Sequence, residues 1–147
     1  MKNHKKMALD NFASGYNCAQ SVFAAFAADY GINTDQAYKL ACGVGGGFRF
    51  AEVCGAVSGA TMIIGLKCGN QDSKDLPCRD HCYAQTIAFI EAFKQRNHDA
   101  MTCKDLLGFN LMTPEGQKYA MQNMTVVKAK CINAISTAVE LLEEMGY

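Results

Sequence analysis

Apolar residues recur along the chain every three or four positions, which is the spacing of a helix face, and strand-like alternation is absent. Gly15 and Gly31 interrupt this rhythm and are expected to end the first two helices. The pattern predicts helices over 1–14, 17–30, 35–42, 53–66, 78–97 and 125–145, with shorter ones starting near 103 and 114. We therefore predict an all-α fold, a compact bundle of five or six helices with a glycine-rich loop, forming one domain over residues 1–147.

Residue types at the predicted helix starts support these boundaries. Thr34 and Thr102 are expected to be N-caps, because a side-chain hydroxyl can accept a hydrogen bond from a free amide of the first turn. Asp105 follows Thr102 by three residues, as in a capping box. Thr113 followed by Pro114 is typical of an N-cap with proline at the first helical position.

The two longest predicted helices place cysteines among their core-facing residues. In 78–97 the side chains expected to face the core are Cys82, Ile87, Ile90 and Phe93. In 125–145 the apolar line runs through Val127, Cys131, Ile135, Ala138 and Leu142.

Composition and charge narrow the possible functions. Half of the residues are apolar, enough for a substantial core, and 14 Lys and Arg balance 14 Asp and Glu. A chain with no net charge and no basic stripe is not expected to bind nucleic acid. No signal peptide is recognised, and the longest apolar stretches are too short to cross a bilayer, so we predict a cytoplasmic protein without membrane insertion.

Eight cysteines in a reducing compartment favour metal binding or redox chemistry over a disulfide framework. No Cys-Xaa-Xaa-Cys motif occurs, so neither a thioredoxin-like motif nor covalent c-type haem is predicted. A helical bundle can bring inward-facing residues of separate helices to one metal site, but sequence spacing is equally compatible with unrelated buried cysteines. The residues concerned, at helix starts or on core-facing positions, are Cys18, Cys54, Cys103 and Cys131.

Residues 42–66 combine a glycine loop with a helix of small residues. Cys54 lies in the predicted first turn, where free amides and the helix dipole favour a thiolate. Arg49 and Glu52 flank this helix and are expected to cap and solvate the loop, or to pair with a charged group. The stretch could present a reactive or metal-binding cysteine, or it could be a tight turn beside a buried one. The loop contains Gly45, Gly46 and Gly47, and Gly55 and Gly59 share a helix face that another backbone can approach closely.

These motifs, in this order, resemble the C_GCAxxG_C_C family, whose members are proposed to be redox-active. The resemblance implies a small bacterial or archaeal protein that holds a prosthetic group through its four family cysteines. It covers roughly residues 15–140 and is carried by Asn17-Cys18-Ala19-Gln20, Gly45-Gly46-Gly47, Cys54-Gly55-Ala56-Val57-Ser58-Gly59, Cys103-Lys104-Asp105-Leu106-Leu107-Gly108 and Cys131.

The other four cysteines, Cys42, Cys68, Cys78 and Cys82, lie outside the family pattern. Cys78 and Cys82 are four residues apart and so share one helix face, with His81 beside them. They could be half of a second thiol or metal site completed by Cys42 or Cys68. Packing alone is the other interpretation.

We expect a small redox or electron-transfer protein in which Cys18, Cys54, Cys103 and Cys131 bind an iron–sulfur cluster, preferably with two irons. Backbone amides of the glycine loop and of the helix starts would point at the sulfurs and set the reduction potential of the cluster. One alternative is a zinc-binding or structural module without redox turnover, and another is a thiol–disulfide oxidoreductase with Cys54 as nucleophile. The sequence identifies no redox partner, and the small-residue face could pack within the bundle or between the copies of a homodimer.

Overall fold

The computed structural model describes residues 2–147, which form eight α-helices joined by turns and loops. The all-α prediction is confirmed, since these residues form no strand and contain one isolated bridge, between Val53 and Thr102. The count of five or six helices is approximate, because α6 and α7 are short separate helices. Met1, which the first predicted helix included, lies outside the described residues. The helices are α1 His4–Ala13, α2 Cys18–Ala27, α3 Thr34–Ala41, α4 Gly55–Cys68, α5 Leu76–Gln95, α6 Cys103–Leu107, α7 Pro114–Gln122 and α8 Met124–Glu144.

Polar side chains cap most of these helices as their sequences predict. The Thr102 hydroxyl accepts a hydrogen bond from the Asp105 amide, and the Thr113 hydroxyl accepts one from the Gly116 amide. The prediction that Thr34 caps α3 is wrong. Asn33 is the cap, because its side-chain oxygen accepts from the first-turn amides and leaves Thr34 as the first helical residue.

Helices α2 and α4 pack closely because small residues line their contact. A Cβ atom added to Gly59 would lie 2.8 Å from the Ala19 carbonyl oxygen, and one added to Gly55 would lie 2.9 Å from the Ala19 nitrogen. Neither position has room for a larger residue without a shift of the backbone. The small-residue face of α4 is therefore used inside the chain, against α2.

Two apolar clusters form the interior. The larger cluster joins α1, α2, α3, α4, α5 and α8, and the smaller one joins α6, α7 and α8 to Ala51. Ile87 was expected to face the core, but its side chain is 57% exposed, and Phe89, which is fully buried, faces the core instead. In the described part of the chain, no helix has the length and apolar character needed to cross a bilayer.

An irregular turn connects the short 3₁₀ turn Cys42–Val44 to α4. Three of its non-glycine residues have left-handed backbone angles, with φ of 57° at Phe48, 64° at Arg49 and 56° at Ala51. Each such residue costs roughly 1–2 kcal/mol relative to a right-handed conformation. Gly47 precedes them with φ of 64°, and a Cβ there would overlap the backbone of Glu52. The Glu52 amide closes the turn with a hydrogen bond to the Gly47 carbonyl at 3.1 Å. The turn places Arg49 beside the cavity that the cysteines line.

Candidate functional site

Four cysteines from four helices line a single cavity of about 300 Å³. Cys18 is the first residue of α2, Cys54 is the N-cap of α4, and Cys103 is the first residue of α6. Cys131 lies within α8. Three helix starts and the side of a fourth helix thus meet at one place, although the residues are remote in sequence.

The isolated bridge holds Cys54 and Cys103 close together. The Cys54 amide donates a hydrogen bond to the Met101 carbonyl at 2.8 Å, and the Cys103 amide donates to the Glu52 carbonyl at 2.6 Å. These two bonds align the chain before α4 with the chain before α6. The cysteine side chains therefore begin from paired, fixed backbone positions.

Glycines allow the turn that carries Cys18 to approach the start of α4. A Cβ on Gly55 would lie 3.2 Å from both the Cys18 Cβ and the Gly45 Cα. Asn17 fixes the start of α2, since it forms a reciprocal capping box with Gln20 and donates from Nδ2 to the Cys42 carbonyl at 2.9 Å. Gly45, Gly46 and Gly55 are thus packing positions around the cavity, while Gly59 packs one turn further along α4.

Burial decides the ionisation of Cys54. Its side chain is only 6% exposed, and this burial raises the pKa of the thiol to about 12, although the Ala56 and Val57 amides that face the sulfur act in the opposite direction. The amides of the helix start favour a thiolate at Cys54, as its position in the sequence indicates, but burial outweighs them and favours the thiol. Burial also raises the pKa of Cys103 to about 11, while the nearby Arg49 guanidinium opposes this rise.

Cys18 and Cys131 both line the cavity, and each shifts the ionisation of the other. Their interaction lowers the pKa of Cys131 and, together with burial, raises the pKa of Cys18 well above its usual range. Cys131 is therefore the sulfur of this pair that ionises first.

Every charged side chain among the described residues that line the cavity is a cation. These are Arg49, Lys128 and Lys130, all of them exposed, so they mark the side where the cavity meets solvent. Lys130 also donates from Nζ to the Leu107 carbonyl at the end of α6, at 2.8 Å. Sequence reasoning missed both lysines, which precede Cys131 by three residues and by one. Glu52 instead pairs with Lys104 at 3.3 Å.

The remaining lining is mostly apolar and suits a group larger than a single ion. Within residues 2–147, no three His, Cys, Asp or Glu side chains are placed to hold a metal ion. A tetrahedral zinc ion needs sulfurs about 2.3 Å from one centre. Four cysteine thiolates are, however, the usual donor set of iron–sulfur clusters. The apolar lining comprises Phe12, Leu106, Leu107, Leu111, Ala120, Met124, Val127 and Ala134.

The four cysteines outside the cavity do not all meet. Cys68, Cys78 and Cys82 lie together where α4 ends and α5 begins, since each of the latter two is close enough to influence the ionisation of its neighbours. Cys42 is exposed and follows α3. The structure therefore separates Cys42 from the other three.

Comparison with known families gives one match over nearly the whole chain. The sequence model of the family described as "putative redox-active protein (C_GCAxxG_C_C)" matches residues 16–145. No curated protein and no solved structure matches the chain. The matched range contains all four cysteines of the cavity.

Proposed function

The chain belongs to the C_GCAxxG_C_C family, and on that premise we propose that it is a small redox protein holding an iron–sulfur cluster. The observation that carries the proposal is the meeting of four cysteines from four helices at one cavity. Four thiolate ligands are the donor set of both two-iron and four-iron clusters. The proposed ligands are Cys18, Cys54, Cys103 and Cys131.

The size of the cavity favours a cluster over zinc. Its volume of about 300 Å³ is roughly ten times the ~30 Å³ share of one water in the liquid. A single ion would leave most of this space unfilled. We prefer a two-iron cluster and keep zinc, or a purely structural role for the thiols, as the alternative.

Each part of the cavity has a role in this proposal. The cluster, when bound, would supply one-electron redox chemistry. The amides of Ala56 and Val57 face the Cys54 sulfur and stabilise negative charge on it. Arg49, Lys128 and Lys130 offset the charge of four ionised sulfurs, while the apolar lining excludes water. The redox partner is unidentified, and a cytoplasmic location remains a prediction.

A thiol–disulfide oxidoreductase is a second candidate, and the interaction of Cys18 with Cys131 in the cavity supports it. Cys131, rather than Cys54, would be the nucleophile, because its pKa is lowered whereas that of Cys54 is raised. Its thiolate would attack one sulfur of a substrate disulfide, form a mixed disulfide and release the first substrate thiolate. Cys18 would then attack the Cys131 sulfur of the mixed disulfide and release the second substrate thiolate. The substrate would be reduced to two thiols, and the protein would be left with a Cys18–Cys131 disulfide.

Metal analysis of anaerobically purified protein tests the proposal. We expect visible absorption together with iron and sulfide near stoichiometric amounts. A serine at any one of the four cavity cysteines should strip the chromophore, whereas C42S and C78S should retain it. A colourless protein with stoichiometric zinc would support the first alternative. Retention of the chromophore in C18S with its loss in C78S would overturn the ligand assignment.

The second candidate predicts a different outcome. A colourless, metal-free protein that reduces a small disulfide, and loses this activity in both C131S and C18S, would establish it in place of the cluster. C42S is the matched control in this assay, because Cys42 is exposed and does not line the cavity.

A further inference from the structure

A second group of thiols lies at the other end of α4 from Cys54. Cys68 is the last residue of α4, and Cys78 lies in the first turn of α5, across the exposed segment 69–75. The Cys78 thiol donates a hydrogen bond to the Cys68 carbonyl, with 3.1 Å from sulfur to oxygen. Since α4 has 14 residues, roughly 20 Å separates this group from the four-cysteine cavity.

We propose that Cys68 and Cys78 form a reversible disulfide, which makes this end of the molecule a thiol–disulfide site in its own right. The sulfur of Cys78 already contacts the backbone of Cys68. The two residues are therefore already neighbours, as a bond between their sulfurs requires.

Geometry favours this pair over Cys78 with Cys82. Residues four apart on a helix have Cβ atoms about 5–6 Å apart, whereas a disulfide needs about 3.5–4.5 Å. A Cys78–Cys82 bond would have to distort a turn of α5. Cys68 and Cys78 instead lie at the ends of two helices, next to an exposed segment whose backbone can adjust.

Tyr147 covers the Cys68 side of the pair. Its hydroxyl oxygen lies 3.5 Å from the Cys68 sulfur and donates a hydrogen bond to the Gln85 side chain at 3.2 Å. Lys67 Nζ lies 4.9 Å from the centre of the Tyr147 ring and donates to the Gly146 carbonyl. Cys68 and Cys78 are both half-buried, but Cys78 follows exposed Pro77 in the first turn of α5, and we take it as the sulfur that a reagent meets first.

The reaction is exchange with a small external disulfide. The Cys78 thiolate attacks one sulfur of the reagent, forms a mixed disulfide and releases one small thiolate. The Cys68 thiolate then attacks the Cys78 sulfur and releases the second. The protein loses two electrons and two thiol protons, and the reagent, which gains them, becomes two thiols.

The bond would close a short loop between α4 and α5. In the chain-entropy description, a loop of this size lowers the entropy of the unfolded chain enough to raise the midpoint of thermal unfolding by roughly 5–10 °C. Neither Cys68 nor Cys78 lines the four-cysteine cavity, so a disulfide between them does not depend on the proposed cluster.

Disulfide mapping of the full chain tests the inference. The anaerobically purified protein is incubated with oxidised glutathione, its free thiols are blocked with N-ethylmaleimide, and the peptides are identified by mass spectrometry. We expect a peptide pair joined through Cys68 and Cys78, the loss of two titratable thiols, and reversal by reduced glutathione. The unfolding midpoint should rise on oxidation.

Matched variants make the result decisive. C68S and C78S should each abolish the cross-link, while C82S and C42S should retain it; far-ultraviolet circular dichroism checks that each variant is helical. A cross-link through Cys82, or a stable glutathione adduct on Cys78 without any intramolecular bond, would overturn the assignment. An unchanged thiol count after oxidation would also overturn it.

Discussion

Arg49 is the residue through which the irregular turn places positive charge at the four-cysteine cavity. Its guanidinium lines the cavity and lowers the pKa of Cys103. A nearby cation stabilises the more negative, reduced form of a redox centre. We therefore expect R49Q to lower the reduction potential of the bound centre by tens of millivolts, since about 59 mV corresponds to a tenfold change for one electron. Spectroscopic redox titration measures the shift.

Charge-matched variants separate this effect from a general loss of positive charge. R49K should recover most of the potential, because it restores the cation. K39Q removes the same charge from an exposed residue of α3 that does not line the cavity, and it should leave the potential unchanged. Equal shifts in R49Q and K39Q would contradict a local role for Arg49.

The Cys18–Cys131 pair predicts an order of thiol reactivity in protein stripped of metal. Cys131 has the lowered pKa and should be alkylated before Cys54, whose pKa of about 12 keeps it protonated at neutral pH. In C18A the interaction with the Cys18 thiol is lost, so the pKa of Cys131 should rise toward its usual value. Its alkylation near pH 7 should then slow by up to about tenfold for each unit recovered.

Iodoacetamide labelling followed by peptide mass spectrometry over a pH series measures these rates. The wild-type rate at Cys131 should stop increasing at a lower pH than the rate in C18A. Identical pH profiles in the two proteins would show that Cys18 does not control the ionisation of Cys131. C42S is the control that leaves the Cys131 profile unchanged.

At the level of elements, the close contact of α2 and α4 depends on Gly59. G59A places a Cβ 2.8 Å from the Ala19 carbonyl oxygen, so the helices must separate, and we expect a loss of about 1–3 kcal/mol in the free energy of unfolding. G65A is the matched control in the same helix, since nothing lies within 4 Å of its added Cβ. It should stabilise the protein by roughly 0.5–1 kcal/mol through helix propensity.

Denaturant unfolding followed by circular dichroism compares the two glycine variants. We expect the free energy of unfolding to fall in G59A and to rise in G65A. Destabilisation of similar size in both would mean that the backbone conformation of α4, and not its contact with α2, requires glycine.

Sequence patterns predicted most of the helices, because helix caps and apolar periodicity depend only on residues that are close together in the chain. Thr102 and Thr113 cap helices as expected, and the apolar line of α8 is buried at Val127, Ile135 and Leu142. The errors have local causes as well. Asn33 competes with Thr34 as a cap, and Ile87 is apolar but lies on the outer side of α5.

Helix positions made Cys18, Cys54, Cys103 and Cys131 candidates for one site, but only the family resemblance favoured their meeting over four unrelated buried cysteines. No spacing rule indicates that the chain before Cys54 pairs with the chain before Cys103, because that pairing is tertiary. Nor does sequence indicate that burial outweighs the helix start at Cys54. The left-handed turn at Phe48 and Arg49 was also beyond prediction, since such angles are unusual for residues other than glycine.

For the whole molecule, the cavity joins two apolar clusters. Cys54 belongs to the larger cluster with Cys18 packed against it, while Cys103 belongs to the smaller cluster with Cys131 packed against that one. A group bound to all four sulfurs would cross-link the two clusters. Its removal should therefore loosen the smaller cluster, which has few buried residues, more than the larger one.

Hydrogen exchange with and without the bound group tests this expectation. After chelation and anaerobic desalting, amides of α6 and α7 should lose protection, while those of α2 and α4 should keep most of theirs. The C42S protein, treated in the same way, controls for nonspecific effects of the chelator. A uniform loss of protection through all the helices would contradict the two-cluster description.

The order in which the sulfurs occur along the chain also bears on biosynthesis. Cys18 belongs to α2 and Cys131 to α8, so the last of the four cavity cysteines is translated only after seven helices have been made. The pocket is therefore incomplete in a nascent polypeptide until α8 has been synthesised, and anything that binds all four sulfurs must bind after that point.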